Sequence, residues 1–190
     1  RPEDCVHTLV AVLTDEGPYG IGSVFAGEAL VRAALQELEP LYRGEDPCSP
    51  ERLAERLHQN TFWLGRGGTL THAISGIDIA LWDLWGKVTG QPVGRLLGGR
   101  YRERVKPYAS LLMQEPAALA EYLLAFKASG FAAFKVGWGP FGRVSGSMDE
   151  AIVRAARDAV GPDALLMVDA GGSDAFWPHG FKWAARTAEM

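Results

Sequence analysis

The chain has 190 residues, 47% of them hydrophobic and 22% charged, enough for one large domain or two small ones around a buried core. Its 19 basic and 23 acidic residues leave a formal charge of -4 with no run of five like charges, which argues against a nucleic-acid or membrane surface and for a soluble, cytoplasmic protein acting on small molecules. Cys5 and Cys48 form neither a C-x-x-C pair nor a disulfide framework, no apolar stretch reaches the roughly 20 residues of a membrane span, and Arg1-Pro2-Glu3-Asp4 does not open a signal peptide.

Val6 to Leu13 and Ile21 to Phe25 are β-prone runs joined by the turn-rich Thr14 to Gly20, the pattern of an antiparallel hairpin. Helical spacing follows over Ala29 to Leu38 and Pro50 to Trp63; Ser49 stands as an N-cap before a proline at the first helical position. After Gly65-Arg66-Gly67-Gly68, the segment Thr71 to Val88 places Ile74, Ile77, Leu81, Leu84 and Val88 three or four residues apart on a wide apolar face. Gly90-Gln91-Pro92 stops that helix, and Gly94 to Arg104 reads as a boundary between domains. Beyond it the rhythm becomes strand (Val105 to Leu111), helix (Glu115 to Ala128), strand (Ala132 to Val136), helix (Met148 to Val160), strand (Ala164 to Asp169) and helix (Phe181 to Met190).

Two strands carry chemistry at their ends. Phe134-Lys135-Val136-Gly137 and Leu166-Met167-Val168-Asp169 are apolar runs that each hold one charged residue near a glycine, with a helix between them. Successive parallel strands place their carboxyl ends on one rim, so a lysine and an aspartate meet there as an electrophile or base beside a metal ligand. Three βα units cannot close a barrel of usual size, and the chain opens on arginine, so it reads as a truncated piece.

Three stretches together resemble the enolase superfamily, in its mandelate racemase and sugar-acid dehydratase branch. They are Ala73 to Lys87 with Gly90-Gln91-Pro92-Val93 and Leu96-Leu97-Gly98-Gly99, then Gly130 to Gly137, then Val168-Asp169-Ala170-Gly171. The resemblance implies an α+β capping domain over residues 1–104, lacking its first strand, followed over 105–190 by the first three βα units of a TIM-type barrel. It implies Mg²⁺ held in part by Asp169, with two further carboxylates on later strands. Lys135 matches the first lysine of a Lys-x-Lys pair, whereas the second, often a base, falls on Gly137; Gly171 stands where many members have asparagine. Abstraction of the proton next to a carboxylate, with dehydration of a sugar acid or related hydroxy acid, is the expected chemistry, in a homo-oligomer. A racemase or epimerase of the same superfamily and an inactive fragment or assembly module are the alternatives.

Within that reading Lys135 is the catalytic candidate, an electrostatic partner to substrate, and Asp169 the metal ligand. Ser110 and Trp138, near the ends of the first and second barrel strands, are substrate-binding candidates. The 190 residues alone are expected to be inactive and to associate, since one carboxylate does not make a Mg²⁺ site and an unfinished barrel leaves a strand edge open. His179 follows Asp169 in a loop on the same rim, where exposure is commoner than catalysis. Gly137-x-Gly139-x-x-Gly142 imitates a dinucleotide loop, but Pro140 and the polar Arg143 to Ser147 delay the helix that such a loop opens.

Overall fold

Alternating exposure along His7–Leu13 (β1) and Tyr19–Phe25 (β2) gives a hairpin paired antiparallel from His7↔Phe25 to Leu13↔Tyr19. The computed structural model describes residues 7–171, and the chain divides into two units, Arg1–Glu103 and Arg104–Met190. His179 and the expected helix from Phe181 lie outside the described residues.

In the first unit the hairpin is followed by α1 (Glu28–Tyr42), α2 (Pro50–Thr61), α3 (Gly68–Thr89) and the single turn α4 (Val93–Leu96). The apolar stripe of α3 buries Ala73, Ile74, Ile77 and Leu81 with Val10 and Val24 of the hairpin, Val31 and Leu38 of α1, and Leu53 and Leu57 of α2. The approach of α3 to β2 is close enough that a Cβ on Gly22 would lie 1.8 Å from the Gly76 carbonyl oxygen. Asp83 and Lys87, one turn apart on α3, pair at 2.6 Å and have a second task. Asp83 Oδ2 accepts the Ile21 N–H at 2.8 Å and Lys87 Nζ donates to the Tyr19 carbonyl at 3.1 Å, which satisfies backbone groups of β2 with side chains of α3.

One expected cap is corrected. Ser49 occupies the N-cap position of α2, but its hydroxyl accepts no helix N–H; it is turned to Asp46, donating to Oδ2 at 2.8 Å. The helix starts on Pro50, whose fixed φ suits the first turn without a side-chain cap.

The second unit contains β3 (Ala109–Leu112), α5 (Pro116–Ala128), β4 (Ala133–Gly137), α6 (Gly146–Val160) and β5 (Leu165–Asp169). The strands form a parallel sheet in the order β3-β4-β5. β3 begins four residues later than the sequence pattern indicates, because Pro107 has no N–H to give to a ladder. Ser145 caps α6 by accepting the Met148 N–H at 3.2 Å. Ala109, Leu111, Phe134, Val136 and Leu166 pack with Leu119 and Leu123 of α5 and with Ile152 and Ala156 of α6. Strand alternation therefore turns Ser110, Leu112, Lys135, Gly137, Met167 and Asp169 to the other face.

Candidate active site

The register fixes which residues share a row on that face, opposite α5 and α6. Ser110 pairs with Lys135, and Lys135 with Met167; one step toward the carboxyl ends, Leu112 pairs with Gly137 and Gly137 with Asp169. Asp169 is the last residue of β5, whereas Lys135 lies in the middle of β4, so the long lysine side chain must climb past Gly137 to reach the rim. It does so: Lys135 Nζ meets Asp169 Oδ2 at 2.8 Å, with side-chain exposures of 32% and 35%.

That pair sets the state of the lysine. The hydrogen bond it donates to Asp169, then that residue's negative charge and the neighbouring Tyr108, hold the Lys135 ammonium above the usual lysine value. Its Nζ lies 5.9 Å from the centre of the Tyr108 ring. A cation so held donates hydrogen bonds and attracts anions at neutral pH.

Gly137 explains why the pair can form. A Cβ at this position would lie 2.5 Å from the Asp169 carbonyl oxygen and 2.6 Å from the Asp169 Cβ. No side chain fits there without moving the end of β5. The chain then turns sharply at Trp138, which has φ 60, the one positive value on a non-glycine residue among the described residues. The half-buried indole lies against Gly171, where a Cβ would come within 2.6 Å of Trp138 Cζ2.

Of the four sequence candidates, the structure joins Lys135 to Asp169 by direct contact, puts Ser110 beside Lys135 in register, and places Trp138 against Gly171, two residues past Asp169. Tyr108 was not singled out from the sequence. The signal was available, since it stands two residues before Ser110 and strand alternation would put both on one face. A groove of about 1020 Å³ lined by Phe141, Asp149, Arg157, Leu166 and Val168 opens on the opposite, helix-bearing side of β5 and contains none of these candidates. No helix among the described residues is long and apolar enough to cross a membrane.

Comparison with known proteins gives this geometry a context. Residues 4–98 match the family described as mandelate racemase / muconate lactonizing enzyme, N-terminal domain, and residues 117–189 match the enolase C-terminal domain-like family. The chain belongs to the enolase superfamily. It carries that superfamily's α+β capping domain and the first parallel strands of its barrel, corresponding to the N-terminal half of a member. Among similar superfamily members, a D-galactonate dehydratase family member of Paenibacillus is 40% identical over 71% of this chain and 34% of its own length. The D-galactarolactone cycloisomerase of Agrobacterium fabrum is 35% identical over 86% of this chain and 44% of its own. The solved structure of the 3,6-anhydro-D-galactonate cycloisomerase from Zobellia galactanivorans superposes with a TM-score of 0.77 at 33% identity, covering 85% of this chain and 45% of that one. The chain thus spans less than half the length of the curated relatives it matches.

Proposed function

We propose that this chain supplies the capping domain and the first rim residues of a Mg²⁺-dependent enzyme that removes the proton next to a carboxylate and dehydrates a sugar acid. The observation that carries the reading is the Lys135–Asp169 contact at 2.8 Å, on the face opposite α5 and α6 toward the carboxyl ends of two parallel strands. Relatives named as a D-galactonate dehydratase and a D-galactarolactone cycloisomerase support a sugar-acid substrate.

Asp169 presents carboxylate oxygens, the hard donors that Mg²⁺ takes. It would be one ligand of a set whose other members are not assembled here: among the described residues no group of three or more His, Cys, Asp and Glu side chains could hold a metal ion. The bound cation would supply charge stabilisation for the electron-rich oxygens formed when the proton leaves.

The remaining roles belong to the chain's own residues. Lys135, cationic and donating, holds the substrate carboxylate or a hydroxyl and meets the charge that develops as the reaction proceeds. It does not take the proton in this scheme. Gly137 has no group that could, so the base comes from another part of the protein, which favours one-base elimination over exchange between two opposed bases. Ser110, exposed beside Lys135, offers a hydroxyl to the same substrate oxygens, and Trp138 bounds the mouth.

The test uses the full-length protein that contains this chain, with Mg²⁺ and a panel of aldonic and aldaric acids. Dehydration removes one water from the substrate mass; isomerisation or racemisation leaves the mass unchanged and, run in deuterium oxide, marks the product with solvent deuterium. Asp169→Asn should abolish turnover and weaken Mg²⁺ binding. Lys135→Met should lower kcat by about 10²-fold or more while the unfolding midpoint stays near that of the wild type. Near-normal turnover in both variants would remove these residues from the chemistry.

A further inference from the structure

The hairpin of the first unit is apolar on both faces. Val10, Gly22 and Val24 are buried on the side of α3. The alternate residues point the other way, so Leu9, Ala11 and Leu13 of β1 and Tyr19, Ile21 and Phe25 of β2 share an outer face, with Leu9↔Ser23 and Ala11↔Ile21 as its middle rows. The five large side chains of that face are 43–76% exposed. An antiparallel sheet with one wet side normally sets polar and charged residues there. Neither strand holds an Asp, Glu, Lys or Arg, which is the composition of strands covered on both sides.

The surroundings narrow what covers this face. Strand addition does not, because α3 already takes the outer edge of β2. Asp83 Oδ2 accepts the Ile21 N–H at 2.8 Å, Lys87 Nζ donates to the Tyr19 carbonyl at 3.1 Å, and His72 Nδ1 meets the Phe25 carbonyl at 2.9 Å. A strand added beside β1 would widen the face and leave it bare. A charged partner finds no countercharge along the strands. Lys87 pairs with Asp83 at 2.6 Å, and Arg32, which lines a hollow with His7 and Leu9, pairs with Glu28 at 2.6 Å.

A second copy of the chain meets these conditions. A two-fold axis sets the same patch against itself, which opposes like charges on a charged patch and opposes none on this one. With the axis across the strands, the turn acids Asp15 and Glu16 of the two copies lie at opposite ends. The area also suffices. The exposed side chains present on the order of 500 Å² in one patch, so two copies would bury about 1,000 Å², the lower bound for a specific interface. We infer that the outer face of the β1–β2 hairpin is an interface between two copies of this chain, packed hairpin to hairpin.

The experiment follows the mass of the full-length protein in solution over a dilution series, by light scattering and sedimentation. The wild type should associate, and the association should persist in about 1 M sodium chloride, where exposed charge pairs are screened. Ala11→Glu opposes two carboxylates in a middle row. It should raise the dissociation constant at least about tenfold, seen as smaller species at concentrations where the wild type stays whole, with an unchanged far-UV circular dichroism spectrum. Mixing Ala11→Glu with Ala11→Lys should recover association that neither shows alone, which a damaged hairpin would not do. A wild type that is monomeric, or that dissociates in salt, overturns the inference whether or not any variant folds. So does an Ala11→Glu protein with wild-type mass throughout the series, or a mixture that associates no better than Ala11→Glu alone. If the rest of the same chain covers the face, Ala11→Glu lowers the urea midpoint equally at every protein concentration and leaves the mass unchanged, which also overturns it.

Discussion

Gly137→Ala is the sharpest test of how the rim is assembled. The added methyl would sit 2.5 Å from the Asp169 carbonyl oxygen and 2.6 Å from its Cβ, about 1 Å short of ordinary contact. Both neighbours belong to one residue of a paired strand, so relief requires the end of β5 to shift by a similar amount. Overpacking of this kind costs about 1–3 kcal/mol. The functional cost should be larger, because the same shift pulls Asp169 from Lys135, now 2.8 Å away, and a misplacement of about 1 Å in an active site costs roughly 10²-fold in rate. Urea unfolding and steady-state kinetics on the full-length protein should show a lower midpoint and a larger fall in kcat/KM. Gly146→Ala is the control: its Cβ meets nothing within 4 Å and no positive φ is involved, so stability should hold or rise slightly. An alanine at 137 with wild-type turnover, and an unshifted Asp169 in a crystal structure, would refute the steric argument.

Gly22→Ala should prevent stable docking of α3 on the hairpin, since the new Cβ would lie 1.8 Å from the Gly76 carbonyl oxygen with only backbone to yield; amide hydrogen exchange in β2 would report the loss. Asp83 is held below the usual carboxylate range first by the Lys87 hydrogen bond and then by the Ile21 N–H. A depressed folded-state value adds stability that is present above the unfolded value and lost as pH falls through the folded one. Asp83→Asn should therefore unfold at lower urea than the wild type at neutral pH, by no more than about 1 kcal/mol for so exposed a pair, and the gap should close in acid.

Much of the fold was legible because it rests on periodicity. The hairpin alternates, α3 keeps its apolar residues three and four apart over about four turns, and β4 and β5 are apolar runs with one charge each. What periodicity does not encode was harder to see. Ser49 has the right identity and position for a cap, yet its hydroxyl is turned to the carboxylate three residues earlier and accepts no helix N–H. Val105 and Lys106 look like the start of a strand until Pro107 denies the ladder a donor. Trp138 is the strongest case. Nothing in its residue type predicts a left-handed backbone, which comes from the tight seat of Gly139 on Met113 and the bond from the Met113 N–H to Gly137.

The two glycines that depart from the superfamily pattern have a common cause in space. Read from the sequence, Gly137 is a missing lysine and Gly171 a missing asparagine, two separate losses from an otherwise familiar rim. In the structure neither leaves a hole: Asp169 closes over the first and the indole of Trp138 rests on the second. Each glycine is the small partner of a residue proposed to act on substrate; Gly137 ends β4 opposite Asp169, and Gly171 follows the end of β5 by two residues. Restoring either family residue alone would therefore displace a residue proposed to act on substrate. A lysine at 137 has to push Asp169 away from Lys135, and an asparagine at 171 has to lift the indole from its seat. The rim is better described as a different solution, with one lysine reaching past a glycine to the carboxylate and an aromatic surface in place of a polar side chain, than as an incomplete copy of the two-lysine arrangement.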